Sequence, residues 1–387
     1  MSTSIRFCGV RVAAANQFGS FSGNSANLLP ALEDRGQLTG IYSADPPRSL
    51  LWRGRLLSFH PNLARWKTRA RRNVGFYNSM RDLVASKIRS APSSLMEATH
   101  SMQIGAWYSL SSQLKTIRPG LRTCSFHDGN FATSLRGLSA NTSLSKQEIQ
   151  RLMDHEKSVY DGLDHIFVMS EWLRSSFLHD FGIPPEKVTT TGSGLSRPGE
   201  VIFQKECYDK QQILFIGTDF ERKGGRMLLE AFAGIRRQLP NATLHLIGPK
   251  LSPLPPGVIA PGFVSRSTES GREYFRRAFQ AASVYAMPSV YEPFGIAFVE
   301  AMANRLPCIG SNTCAMPEII AEGKTGFLIP PGDTDALTER ILRLLTEAGA
   351  AKRFGDAGYS RYLERFTWDA VISKIINQLH NERPELA

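Results

Sequence analysis

The sequence predicts an α/β chain of two Rossmann-like units, each a doubly wound parallel sheet, and three observations carry that reading. At 387 residues the chain is long for one core and suits two domains of ordinary size. Short apolar runs bounded by turn residues alternate with amphipathic helical stretches, the pattern of strands buried on both faces and joined by right-handed βαβ crossovers. The composition, 42% hydrophobic and 21% charged, excludes a disordered chain, and no stretch approaches the roughly 18 apolar residues of a membrane span.

The C-terminal half carries the alternation most clearly. "QILFIG" (212–217), "ATLHLIGP" (242–249), "SVYAMP" (283–288), "PCIGS" and "TGFLIPP" read as strands. Between the first two, Met227, Leu228, Ala231, Phe232 and Ile235 make one face of a helix, and "DTDALTERILRLLTEA" is a helix capped by Asp333 or Thr334. In the N-terminal half "SIRFCGV" is the first strand, followed by a glycine-rich turn and the helix in "GNSANLLPALEDRG". "LRTCSF" and "HIFVMS" are later strands, and the helix from Ser145 opens with a capping box closed by Glu148. A linker is expected near 197–209, which sets domains at 1–200 and 201–365, with a last helical segment, 366–387, able to pack back on the N-terminal domain. Two such halves facing one another would place their strand C-terminal ends along a shared central cleft.

The N-terminus, interrupted by Arg6 and Arg11, lacks the apolar core of a signal peptide, and a cytoplasmic location is expected. The five scattered cysteines have no metal-ligand spacing and read as reduced thiols. The net charge of +11 is concentrated: residues 48–89 hold eleven Lys/Arg against one acid, Asp82. Tyr77, Met80, Val84 and Ile88 fall on one face of a helix there, with Arg81, Lys87 and Arg89 away from it. Three explanations compete for this segment: a solvated helix face packed on the domain, peripheral contact with an anionic membrane on its inner face, or a charged acceptor. Nucleic acid is not expected, because two aromatics, Trp66 and Phe76, make a poor stacking platform.

Two anomalies point to chemistry. In "SVYEPFGIAFVEAMANRLPCIG" Glu292 lies in a loop before a helix start, where free N–H groups and the helix dipole form an anion site; it reads either as an ordinary N-terminal carboxylate or as part of that site. Glu300 sits two turns further on, in a helix predicted to be buried on most sides. A carboxylate there needs a partner, either an arginine from a neighbouring element or the adjacent hydroxyls of a ligand diol. The second anomaly is "GTDFERKGGRMLLEAF", where Arg222, Lys223 and Arg226 crowd a helix N-terminus that disfavours cations. An arriving pyrophosphate would reverse that balance, and Gly224-Gly225 would let it approach the backbone, although the P-loop spacing is absent.

From "ILFIGTDFERKGG" through "LHLIGP" to "YEPFGIAFVEAMANRLPCIGSNTCAMPEIIAEGKTGFLIPPGD" the chain resembles the donor-binding half of GT-B glycosyltransferases of family GT4, which are retaining and use nucleotide sugars. Glu292 and Glu300 match that family's Glu-x7-Glu motif, and the likeness covers roughly residues 160–345. It implies an acceptor-binding N-terminal domain and a donor-binding C-terminal one. Glu300 would bind the donor ribose, and Glu292 would contact the transferred sugar near its anomeric centre. The N–H groups of Phe294, Gly295 and Ile296 would hold the distal phosphate, and Lys223 would neutralise charge building on the leaving diphosphate. Gly217 and Thr218 would line the same loop, while Gly248, Phe263 and Val264 would flank the base. In the N-terminal half the resemblance brings Gly23 to the diphosphate and His127 to the donor sugar, although a strand-end histidine beside an ordinary Asp128-Gly129 turn also fits a structural part.

Three positions depart from the family pattern. Thr218 stands where the family usually has Arg, so Arg222 is expected to supply that charge; Arg305 stands where it usually has Gly; and "CGVRV" breaks the usual first strand, so the acceptor side is expected to be unusual. The expected function is a retaining transfer of a hexose-type sugar to a hydroxyl of a glycan, lipid or small molecule. No cofactor and no essential metal are expected. The alternatives are a GT-B-like sugar epimerase, and a non-catalytic protein that binds a nucleotide sugar or a membrane.

Overall fold

The structure is a computed structural model that describes residues 5–12, 27–44, 49, 52, 56, 74–105, 110–137, 144–195, 205, 207–347 and 349–382. Gly23 and nearly all of 48–73 lie outside the described residues, as does much of the expected linker.

The chain divides into two compact units, residues 1–194 with 371–387, and residues 195–370. The first unit is built on β1 (Phe7–Val12), β2 (Leu38–Ala44), β3 (His100–Ile104), β4 (Arg122–His127), β5 (His165–Val168) and β6 (Val188–Thr190). Its helices are α1 (Leu28–Asp34), α2 (Val74–Ser90), α3 (Ser93–Glu97), α4 (Ser111–Ile117), α5 (Phe131–Gly137), α6 (Lys146–Asp161) and α7 (Glu171–Asp180). The strands pair in parallel in the order β2-β1-β3-β4-β5-β6. Ser145 caps α6 with the full capping box, accepting from Glu148 N–H while the Glu148 carboxylate returns to the Ser145 N–H at 2.9 Å.

Helix α2 decides part of the question raised by the basic segment. Met80, Val84 and Ile88 are fully buried against Val10, Tyr42 and Leu95, so the apolar stripe of this helix belongs to the core of the unit. From Asn78 to Ser90 the apolar stripe is therefore spent on the core, with Asp82, Lys87 and Arg89 exposed on the other side.

The second unit is built on β7 (Gln212–Ile216), β8 (Thr243–Ile247), β9 (Val258–Gly262), β10 (Val284–Met287), β11 (Cys308–Ser311) and β12 (Gly326–Ile329). Between and after them come α8 (Gly225–Gln238), α9 (Glu269–Ala281), α10 (Ile296–Ala303), α11 (Met316–Ile319), α12 (Thr334–Thr346) and α13 (Ala350–Arg365). The order β12-β11-β10-β7-β8-β9 is again wholly parallel. From β7 the chain runs outward through β8 and β9, then returns to the other side of β7 with β10. The order thus reverses between β7 and β10, and the loops leaving those two strands flank the switch point where such sheets bind ligands.

The last helix, α14 (Trp368–Asn381), straddles the division. The Trp368 indole donates to the Leu195 carbonyl at 2.8 Å within the second unit, whereas Val371, Ile372, Ile375 and Leu379 are buried in a stretch that groups with the first. Just beyond it Glu382 pairs with Arg122 and, at 2.7 Å, with the ring of His165, both in the first unit. Among the described residues no helix is long and apolar enough to cross a membrane.

Candidate functional site

The switch point of the second unit is shaped by the loop from Gly217 to Gly224 after β7 and the loop from Pro288 to Gly295 after β10. The two loops are tied by backbone: Val290 N–H donates to the Arg222 carbonyl at 3.0 Å. Helix α8 starts at Gly224, whose φ of 74° is left-handed and whose missing Cβ would lie 2.0 Å from the Pro288 carbonyl oxygen. Only glycine lets the helix begin this close to the neighbouring loop. Helix α10 likewise starts at Gly295, with φ 93°. Neither start has a side-chain cap, whereas α6, α7, α9 and α12 are capped by Ser145, Ser170, Thr268 and Asp333. Two uncapped N-termini flanking one loop pair leave first-turn N–H groups and the positive ends of two dipoles for an anion.

The side chains that occupy this corner form one network. The Glu292 carboxylate meets the Lys223 ammonium at 3.2 Å and the Arg222 guanidinium at 3.5 Å. Arg222 is also held by Asp219 at 2.9 Å and donates to the Tyr291 carbonyl at 2.6 Å, so its charge is fixed over the loop. The stem of Lys223 lies across Gly217, where a Cβ would be 2.3 Å from its Cδ, and its ammonium reaches the Met287 sulfur at 3.5 Å. Gly217 is thus what allows the lysine to run along the end of the sheet to Glu292.

Glu300 has a protein partner. It forms an ion pair with Arg266 at 2.5 Å, both side chains about one-sixth exposed, and the Arg266 guanidinium is 3.8 Å from the centre of the Phe275 ring. Of the two partners that a buried carboxylate here could take, the arginine is therefore present. Sequence reasoning missed Arg266 because "SRSTESGR" reads as an ordinary polar loop; the need of Glu300 for a cation was the one available signal. Phe263, which follows β9, is 74% exposed, Val264 is half-buried and Thr218 is exposed. Gly248 packs on the β7 loop, a Cβ there falling 2.3 Å from the Gly217 carbonyl oxygen. The structure therefore brings together Gly217, Arg222, Lys223, Gly248, Glu292, Gly295 and, about one turn into α10, Glu300.

Arg305 occupies a left-handed backbone position, φ 57°, which explains why glycine is common there in the resembled family. Its strain is offset by an ion pair with Asp356 at 2.7 Å and by stacking on Tyr359 at 4.0 Å.

His127 is placed differently. It ends β4 of the first unit, is 2% exposed, and bonds Ser125 Oγ at 2.8 Å through Nε2 while packing edge-on against Tyr160 and Phe177. Burial lowers its pKa to about 3, partly opposed by a backbone hydrogen bond at Gly129, so the ring is neutral. Among the described residues no group of three or more His, Cys, Asp or Glu could hold a metal ion.

With this geometry in view, comparison with known proteins shows what the chain is similar to. Residues 200–361 match the family described as glycosyl transferases group 1. The chain is 30% identical over 233 residues to the MMP alpha-(1->4)-mannosyltransferase of Mycolicibacterium hassiacum, covering 58% of this chain and 56% of that protein. It is 30% identical over 171 residues to a phosphatidyl-myo-inositol mannosyltransferase of Mycobacterium leprae, covering 42% and 45%. The chain thus spans about half the length of these two curated relatives. Among solved structures, sucrose-phosphate synthase from Thermosynechococcus elongatus superposes with a TM-score of 0.66 at 18% identity, over 99% of this chain and 100% of that one. A glycosyltransferase from Rickettsia africae gives 0.66 at 14%, over 98% of each. The chain therefore has the two-domain GT-B fold, and residues 200–361, within its second unit, are similar to the group 1 glycosyl transferases.

Proposed function

We propose that the protein is a retaining glycosyltransferase that moves a hexose-type sugar from a nucleoside diphosphate to a hydroxyl acceptor, whether glycan, lipid or small molecule. The observation that supports this most directly is the Lys223–Glu292–Arg222 cluster set between two uncapped helix starts. Asp219 and Glu292 balance the two cations in this corner, the two helix starts add positive potential beyond that balance, and a diphosphate is the anion that fits between paired helix N-termini. On binding, the phosphates draw Lys223 and Arg222 toward themselves, and the carboxylate of Glu292 turns to the sugar hydroxyls. The acceptor oxygen bonds to the anomeric carbon on the face from which the phosphate oxygen departs. The C–O bond to phosphate breaks, and the acceptor proton passes to the departing phosphate. Lys223 and the helix starts stabilise the charge that grows there, the role a metal would otherwise fill, so no essential metal is proposed. Phe263 and Val264 flank the base and Glu300 takes the ribose hydroxyls.

Similarity to named transferases favours transfer over epimerisation, and mannosyl donors are the first to try because two relatives are named mannosyltransferases. The test is a thermal-shift and turnover screen of the purified chain against UDP-, GDP- and ADP-sugars, with Glu300→Ala as control. One nucleotide class is expected to stabilise the protein, and the variant to lose most of that stabilisation. No response to any donor, or free sugar released at full rate without acceptor, would overturn the reading.

A second proposal concerns location at the inner face of a membrane in the cytoplasm. Trp52 and Leu56, four residues apart among Arg53 and Arg55, are both more than half exposed, which supports contact with an anionic surface by residues N-terminal to α2. Flotation with anionic vesicles should weaken when Arg65, Arg69, Arg71 and Arg72 are neutralised; unchanged binding sinks the idea.

A further inference from the structure

We infer that Arg266 is a positioning residue for the nucleotide, a brace that remains on Glu300 when donor binds and sets which of its oxygens meets the ribose. The inference rests on the proposed function, in which Glu300 is the ribose carboxylate.

Arg266 lies in the loop between β9 and α9, two residues beyond Val264. Its guanidinium is held on two sides. One nitrogen, Nη1, donates to Glu300 Oε1 at 2.5 Å, and the plane sits 3.8 Å from the centre of the Phe275 ring, with Phe279 at 5.9 Å behind it. Both rings are buried on α9, so the cation is seated on the inner face of one helix and reaches a carboxylate on another, α10. Stacking fixes the guanidinium plane, and a fixed plane fixes the carboxylate it bonds.

Two things could happen when a diol arrives. Arg266 could leave, yielding both oxygens, or it could stay and yield only what it does not use. A ribose diol is neutral, so it brings no charge to replace the one Glu300 would lose. Departure would exchange a charge-assisted bond for neutral ones and strand a guanidinium among phenylalanines, so staying is favoured. With Arg266 in place, Oε2 and the second lone pair of Oε1 are left for a ligand, since among the described residues no other side chain bonds them. A carboxylate held this way accepts from two neighbouring hydroxyls in one orientation and gains less from a sugar lacking one of them. Glu292 differs here, because an arriving diphosphate is itself an anion and can replace Glu292 as the partner of Lys223 and Arg222.

The experiment is calorimetric titration of the purified full chain with UDP, GDP and ADP and with their 2′-deoxy counterparts. It compares the unmodified protein with Arg266→Met, Arg266→Lys and Glu300→Gln, with melting midpoints recorded without ligand. Arg266→Met is expected to weaken the preferred ribonucleotide about tenfold while leaving the deoxynucleotide nearly unchanged, so that the ribo-to-deoxy ratio collapses toward one. Arg266→Lys, which keeps the charge and loses the stacked plane, should recover part of that ratio and serves alone if the methionine variant does not fold. An unchanged ratio in folded variants overturns the inference, and so does tighter ribonucleotide binding by Arg266→Met, which would make Arg266 a gate. If Glu300→Gln leaves the ratio unchanged, the ribose assignment itself fails, which is a different outcome from failure of the brace alone.

Discussion

The strand ends of the two units share an architecture and differ in what they carry. In the second unit the switch point between β7 and β10 gathers Lys223, Arg222 and Glu292 at partial exposure. In the first, the residue singled out by resemblance, His127, ends β4, beyond the β1–β3 reversal, and is sealed among aromatic rings. Parallel sheets alone do not make a site. What distinguishes the second unit is charge kept in reach of solvent at the reversal, beside two helices, α8 and α10, that start there without side-chain caps.

The comparison breaks most sharply at Lys223. Lys223→Ala should cut turnover by roughly 100-fold or more, as loss of one group stabilising transition-state charge typically does, with little change in melting midpoint. A variant that turns over normally would remove the charge-bearing corner from the chemistry. Next is Gly248→Ala, whose methyl would lie 2.3 Å from the Gly217 carbonyl at a φ of 124°. Destabilisation of the second unit by about 2 kcal/mol or more is expected in denaturant unfolding, and an unshifted midpoint would show that the two loops move apart freely.

In the first unit the prediction concerns stability rather than turnover. His127 has a folded pKa near 3, below the 6.5 of an exposed histidine, so the unfolded chain takes up its proton first. Its contribution is complete above about pH 6.5 and is lost as pH falls toward 3. His165, lowered to about 4 by burial, acts with the same sign, so the measurement is a difference. His127→Gln should flatten the pH dependence of the unfolding midpoint between pH 7 and 5 and cost about 1–3 kcal/mol at pH 7. Loss of turnover with an intact midpoint would instead place His127 at the substrate. The smallest effect is expected for Arg305→Gly, where relief of a left-handed φ is offset by loss of the Asp356 pair and Tyr359 stacking. A net change within about 1 kcal/mol is expected, and a larger loss would show that the ion pair outweighs the strain.

Legibility followed locality. The apolar strands β7, β8, β10, β11 and β12 and the capped helices α6 and α12 were readable because their signals lie in consecutive residues. Strand β3, "HSMQI", was not, since His100, Ser101 and Gln103 are buried polar groups that break the apolar run. Strand β9 was hidden because it borders only β8 at the sheet edge, alternates exposure and carries Pro261. Glu292 and Glu300 stood out as carboxylates in an apolar stretch. Arg266 did not, because its partner is a helix away and nothing in its own neighbourhood records the contact. The apolar face of α2 was legible as a helix face, but not as core, because the residues that cover it come from Val10, Tyr42 and Leu95.

The path of the chain also bears on the order of assembly. Residues 195–370 form a continuous unit flanked on both sides by parts of the other. During synthesis the second unit has its whole sequence in hand once residue 370 has emerged, and domains generally fold as units while the chain is still growing. The first unit, translated earlier, waits for its last pieces: Ile372, Ile375 and Leu379 for its core, and Glu382 for Arg122 and His165. The unit that begins earlier in the chain is therefore the later of the two to be complete, its core closing only after residues 371–382 have been made.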